Sequence, residues 1–194
     1  SLILGRLRGI DIRTRGSGNA GGTNAFRTLG WRFALGVVAI DIGKGALAAW
    51  IGTLLHAPDL PASARGLGFG CALLAAIGHT WPVFFGFRGG KGAGTLVGGL
   101  LLLWPWVALP LLGIWLLVLT STGYVGLATI LAALALIPAD WLMSGGSIER
   151  TLFAVAAALF IAYTHRANLQ RLAAGNEHRF ERARVLARLV GRGG

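Results

Sequence analysis

The chain has 194 residues, is 55% hydrophobic and carries a formal net charge of +11, with a mean hydropathy of +0.67. Its apolar share exceeds the ~45–50% of an ordinary soluble domain, and its long apolar runs lack the alternating ~10-residue segments of a membrane β-barrel. The expected fold is therefore all-α: a polytopic membrane helical bundle occupying residues 1–194 as a single domain.

In chain order, residues 1–5 read SLILG, the tail of an apolar helix too short to cross a bilayer. The natural chain is thus expected to begin earlier, with seven spans when complete and about six here. Residues 16–30, GSGNAGGTNAFRTLG, follow. Gly16, Gly18, Gly21 and Gly22 allow the backbone to turn its amides inward. Ser17, Asn19, Thr23 and Asn24 add hydrogen-bonding groups, and Arg27 adds a fork of donors suited to phosphate. The stretch reads as an anion cradle; the plainer alternative is a connector in which Thr23 or Asn24 caps a helix.

Apolar runs at 31–55 and 66–85 supply two spans joined by HAPDLPASAR, a proline-rich turn. Asp41 and Lys44 stand at i and i+3 within the first, either as a structural ion pair or with Lys44 lending positive potential to a site. The lone Cys71 permits no intrachain disulfide and reads as a buried apolar residue. The second polar stretch is GHTWPVFFGFRGGKGAGT (78–95), where Gly89, Gly90 and Gly92 flank Lys91 directly before a helix. Amides, helix dipole and ammonium there converge on one anion. A nucleotide-binding P-loop is excluded: Gly86 is one residue too close to Gly90, position 92 is Gly rather than Ser or Thr, and no strand precedes it.

The run 96–119 contains Pro105 and Pro110, each removing a helical hydrogen bond, and is expected to split at Pro105 into two helices. Runs at 123–143 and 151–165 follow. All of the 18 lysines and arginines except Lys44, Arg65 and Arg150 fall in three polar stretches, 6–32, 86–95 and 166–194. If all three face the cytoplasm, two crossings separate the first pair and four the second. The last stretch contains THRANLQRLAAGNEHRF (164–180); a helix running through it places His165, Asn168, Leu169 and Leu172 near one face, with Arg171 close by, Gly175 at its end and Glu177 beyond. In the basic amphipathic tail (177–194), Phe180, Val185, Leu186, Leu189 and Val190 lie among arginines, the pattern of a helix resting on an anionic membrane surface.

Together the three motifs resemble the bacterial acyl-phosphate:glycerol-3-phosphate acyltransferases, the PlsY family, which carry GSGNxGxTNxxR, GHxxPVFxxFxGGKGxxT and HxxNxxRLxxGxE in this order. The match runs over residues 11–180, with Asp41, Lys44 and Gly45 resembling a further DxxKG element; Gly22 and Gly94 replace usual alanines and Arg88 a frequent lysine. The resemblance implies acyl transfer from a fatty acyl phosphate to the 1-hydroxyl of glycerol 3-phosphate, giving 1-acylglycerol 3-phosphate and phosphate at the cytoplasmic face of a bacterial inner membrane. It implies Ser17, Lys91, Asn168 and His165 as catalytic. It implies Gly18, Asn19, Thr23, Asn24, Arg27, Lys44, His79, Gly89, Gly90, Gly92, Thr95, Arg171 and Glu177 as substrate-binding. Ser17 and Lys91 are placed on the donor phosphate, and Arg27, Arg171 and Lys44 on the acceptor. No metal, cofactor or nucleic acid is implied beside the two substrates and the bilayer, and the oligomeric state is left open.

The family suggests that substrate phosphate takes the hydroxyl proton; His165 is the competing base. The acyltransferase pattern of His followed five positions later by Asp is not present, since Phe84 follows His79 and Gln170 follows His165 at that spacing. Two other classes compete. A phosphate or organophosphate transporter would bind anions on broken helices at mid-membrane, but no inverted repeat is evident. A membrane scaffold held by its basic tail would not require Lys91 or Asn24.

Overall fold

The computed structural model describes residues 2–186. Every regular element among them is helical. In chain order these are α1 (Leu2–Leu7), α2 (Gly22–Leu29), α3 (Trp31–Leu54), α4 (Ala64–Thr80), α5 (Ala93–Leu103), α6 (Pro105–Thr122), α7 (Val125–Ser144), α8 (Ile148–Thr164) and α9 (Arg166–Ala173), with single 3-10 turns at Ile12–Thr14, Val83–Phe85 and Glu181–Ala183. The chain divides into two compact units, Ser1–Trp104 and Pro105–Gly194.

In the first unit α3 packs against both α4 and α5. Small residues set the distance. A Cβ on Gly45 would strike the carbonyl of Thr95, one on Gly98 the carbonyl of Ile42, and one on Gly52 the backbone of Leu67 and Gly68. Ala49, Ala72 and Ala76 are buried at the same seams. Lipid offers no hydrophobic drive for helix association, so such close backbone approach supplies the packing energy instead. At the motif end, Ile12, Ala20, Ala25, Phe33, Ala34 and Val37 form a core that binds α2 and the loop before it onto α3, with Leu2, Leu4 and Leu29 against its edge.

The expected split at Pro105 is present: α5 stops at Leu103 and α6 begins on Pro105, whose missing N–H costs nothing at a first helical position. Pro110 lies inside α6 without ending it. Two helices, α3 and α4, thus separate the first and second basic stretches, and four, α5 to α8, separate the second and third. Among the described residues, four segments are long and apolar enough to cross a membrane: Trp31–Leu54, Ala64–Phe85, Pro105–Thr122 and Val125–Met143. A fifth qualifies if α8 and α9, bent by 56° at their junction, count as one. The sixth, α5, is about 16 Å long against a hydrocarbon core of ~30 Å. It is bounded by Gly92 in the left-handed region and by Pro105, and it buries Leu96, Gly98, Gly99 and Leu100. Exposed leucines on α6 (Leu109, Leu112, Leu116, Leu117) present the surface that a lipid-facing helix requires.

In the second unit α7 packs against α6, α8 and α9. At its C-terminal end Asp140 is fully buried and fully engaged. It accepts from Arg150 Nε at 2.7 Å, Thr151 Oγ1 at 2.6 Å and the Ser147 amide at 3.3 Å, stapling the turn into α8. The first residues of the tail depart from the expected helix. Residues 177–180 are not helical: the chain turns back so that the Phe180 amide donates to Gly123 O at 2.9 Å and Arg179 reaches Tyr124, beside the α6–α7 turn. Short helical turns follow at Glu181–Ala183 and at 185–186. Leu189 and Val190 lie outside the described residues.

Gly98→Val and Gly45→Val put atoms where backbone already stands and should each destabilise the protein by about 3 kcal/mol or prevent recovery of folded material. Gly43→Ala and Gly70→Ala, whose Cβ atoms meet nothing within 4 Å, should leave the thermal midpoint in detergent unchanged or slightly raised. Equal midpoints in the two pairs would show that the α3–α5 contact does not limit stability.

Candidate functional site

The first motif is organised by Asn24. This residue is buried at the third position of α2, and its carboxamide reaches back across the loop. Nδ2 donates to Ile12 O at 3.2 Å and Arg15 O at 2.9 Å, while Oδ1 accepts from the Ser17 amide at 2.9 Å. The Gly18 amide donates to Arg15 O at 3.1 Å. Two amides expected to face an anion are therefore spent inside the loop, and Asn24 acts by fixing its shape. Neither Thr23 nor Asn24 caps α2; its N-cap is Gly21, which makes no side-chain bond. Gly16, at φ +58°, leaves no room for a Cβ beside the Asn24 carboxamide. Ser17 is exposed, and Asn19, Thr23 and Arg27 are half-buried.

The second motif closes by backbone pairing. The Gly89 amide donates to Thr80 O at 3.0 Å and the Gly90 amide to His79 O at 3.2 Å, so the segment between returns on itself. Here too the amides of Gly89 and Gly90 are engaged rather than open. The pairing delivers Lys91, half-buried, to the threshold of α5, where Gly92 at φ +82° forms the N-cap. Lys91 thus stands at the positive end of a helix dipole, which adds to the positive potential of its ammonium. Thr95, at the third position of α5, is fully buried with its backbone carbonyl against Gly45 of α3, and its Oγ1 is buried without a hydrogen-bond partner.

The two motifs meet. Arg13 Nη1 donates to Phe85 O at 2.8 Å and to Arg88 O at 3.3 Å, while its Nε and Nη2 are held by Asp11 at 3.0 and 2.8 Å. Arg6 lies over the Phe85 ring at 4.2 Å. Sequence reasoning passed over Asp11 and Arg13; the available signal was their i, i+2 spacing, typical of a carboxylate turn in which Asp11 accepts from the Arg13 amide, here at 3.0 Å. Side-chain hydrogen bonding from Arg13 holds the Asp11 carboxyl down at about 2, from 3.8.

The third motif lies in the second unit. The helix does not run through it: α8 ends at Thr164, His165 stands at the bend, and α9 starts at Arg166. His165 is buried, and its Nδ1 lies 2.9 Å from Ile161 O. A carbonyl only accepts, so Nδ1 carries a proton and donates it there, which leaves Nε2 as the ring nitrogen not engaged with Ile161. After α9 the chain makes a left-handed turn at Gly175, φ +72°, with Asn176 N donating to Arg171 O at 2.9 Å and Gly175 N to Leu172 O at 3.1 Å. This helix-terminating motif swings Glu177 back onto α9. Its Oε1 accepts from Asn168 Nδ2 and its Oε2 from Arg171 Nε, both at 2.7 Å. Asn168 also packs on Gly126 of α7, where any Cβ would collide with it. His165, Asn168, Arg171 and Glu177 are thus one local assembly.

Glycine-shaped loops that carry Arg27 and Lys91 next to apolar helices are the frame of a membrane protein with a polar site at its helix ends, and comparison with known proteins gives the family. A family model described as glycerol-3-phosphate acyltransferase matches residues 1–175. The glycerol-3-phosphate acyltransferases of Chlorobaculum parvum and Symbiobacterium thermophilum are each 42% identical to the chain; each match covers 92% of it, and 89% and 85% of the respective relatives. Crystal structures of PlsY (YgiH), an integral membrane glycerol 3-phosphate acyltransferase, superpose with TM-scores of 0.83 for the glycerol 3-phosphate form and 0.81 for the lysophosphatidic acid form. Both are 34% identical and cover 95% of this chain, and 90% and 89% of theirs. The chain belongs to the glycerol-3-phosphate acyltransferase family, and it is an integral membrane protein.

Glu177→Gln removes the charge that orders Asn168 and Arg171 and should lower kcat/KM about tenfold, corresponding to ~1.4 kcal/mol, with folded protein still recovered. Unchanged kinetics would separate this assembly from catalysis. Because the folded pKa of Asp11 lies below its unfolded value, the Asp11–Arg13 contribution is complete above about pH 4 and lost as pH falls to about 2. The midpoint deficit of Asp11→Asn should therefore be constant from about pH 5 to 8 and shrink below about pH 4. A deficit that grows on acidification would contradict the assigned pair.

Proposed function

We propose that the chain transfers a fatty acyl group from an acyl phosphate to the 1-hydroxyl of glycerol 3-phosphate, giving lysophosphatidic acid and inorganic phosphate, at the cytoplasmic face of a bacterial inner membrane. The observation that carries the reading is the closed glycine loop that delivers Lys91 to the N-terminus of α5, tied through Arg13 to the loop bearing Ser17. A donor phosphate bound there meets an ammonium and a helix dipole that stabilise charge as the phosphate departs. The acyl chain stays among apolar helices. Support for the acceptor and product comes from relatives crystallised in glycerol 3-phosphate and lysophosphatidic acid forms.

The hydroxyl oxygen attacks the acyl carbonyl carbon, the bond from that carbon to the phosphate oxygen breaks, and the hydroxyl proton passes to the departing phosphate. Arg171 binds the acceptor phosphate, with Glu177 fixing its orientation. Asn168 orients the glycerol, lowering the entropic barrier to attack. His165 assists through Nε2.

Purified protein in detergent, given palmitoyl phosphate and glycerol 3-phosphate, should release phosphate only when both are present. Hydrolysis of the donor alone, or no release at all, rejects the reading. Lys91→Ala should reduce turnover by about 100-fold or more while the protein remains folded; activity like that of wild type removes Lys91 from the mechanism.

A further inference from the structure

Asp41, Lys44 and His79 form a polar cluster where α3 and α4 are otherwise apolar. Asp41 is 6% exposed, and an isolated carboxylate at that depth is costly. Lys44 Nζ donates to its Oδ1 at 2.6 Å, and His79 Nδ1 lies 3.5 Å from the same oxygen while also contacting Lys44 Nζ. An ammonium has only donors, so the Nδ1 that faces it presents a lone pair and the ring proton sits on Nε2. That Nε2 edge abuts Gly90 so closely that no Cβ fits there, and the His79 carbonyl accepts the Gly90 amide. A Cβ on Gly89 would strike the same carbonyl. Gly94, in the first turn of α5, lies against the Asp41 side chain. One residue of α4 therefore grips the loop with both its backbone and its ring, and the ring's orientation is set from α3.

We propose that Asp41, Lys44 and His79 are positioning residues: they hold the Gly89–Gly92 segment, and so Lys91, in place, and Lys44 is a structural counter-ion instead of a phosphate ligand. The proposal rests on the reading of Lys91 given above. The ammonium of Lys44 is committed to Asp41 and His79, and the cluster lines a cavity of about 280 Å³ whose remaining wall includes Ile40, Phe85 and Ala20. Removing Asp41's charge leaves the ammonium without its counter-ion, frees the imidazole to turn, and loosens the two loop amides paired to His79 and Thr80.

Hydrogen–deuterium exchange of the detergent-solubilised protein, without substrates, tests this directly. Asp41→Asn and His79→Phe should speed exchange across residues 86–92 by about tenfold or more while α4 residues 66–76 exchange as in wild type. Kinetics with palmitoyl phosphate and glycerol 3-phosphate should show kcat reduced about tenfold and both KM values within about twofold, because a displaced Lys91 acts on the transition state. Asp41→Asn/Lys44→Met, which restores neutrality, should exchange more slowly at 86–92 than Asp41→Asn alone. Unchanged exchange with a raised KM for glycerol 3-phosphate would make Lys44 a ligand and overturn the proposal. Equal acceleration across 66–76 would reduce the cluster to general stability and overturn it as well. An inactive wild type with the expected exchange pattern would count against the acyl-transfer reading while leaving the positioning role intact.

Discussion

The contact of α5 with α3 leaves no space for a side chain at Gly45 or Gly98, and the first motif-bearing unit depends on it. Helices in lipid gain little from excluding water, so their association rests on backbone proximity and dispersion. That proximity fixes the axis of α5, and the axis fixes where its N-terminus points. Lys91 gains its placement from a helix that is itself short, stopped at one end by Pro105 and started at the other by Gly92. A longer or looser helix in this position would spread the same cation over many orientations, and the electrostatic advantage of alignment with the dipole would be lost.

Both glycine-rich loops consume their own hydrogen-bonding capacity. The Ser17 and Gly18 amides close the first, and those of Gly89 and Gly90 close the second. The glycines are needed for tight return and close approach, and the loops so shaped carry Ser17, Arg27 and Lys91. Loop rigidity of this kind lowers the cost of ordering the site when substrates arrive. The same economy appears in the second unit, where Glu177 holds Asn168 and Arg171 before any ligand is present.

Much of this was legible in the sequence because it depends on local signals. Apolar run length located α3, α4, α6, α7 and α8, and Pro105 announced the break before α6. The partnership of Asp41 and Lys44 followed from i, i+3 spacing, but the arrival of His79 on the same oxygen did not, since it requires the register between α3 and α4. The roles of Asn24 and Thr95 were hidden for the same reason: both residues suit a ligand site, yet their burial is decided by the packing of α2 and α5 on α3. The bend at His165 was missed because Ala, Asn, Leu and Gln around it have no aversion to helix, and only tertiary context turns the chain by 56°.

The Asp140 staple carries a consequence for how the second unit reaches its place in the bilayer. Asp140 and the packing position of Asn168 at Gly126 lie about 20 Å apart along α7, so the charged turn and the motif assembly occupy opposite ends of one helix. Inserted alone, α7 would carry an uncompensated carboxylate near the end of its span; inserted with α8, it brings Arg150 and Thr151 along. A hairpin of α7 and α8 therefore carries this carboxylate already paired, which α7 by itself does not.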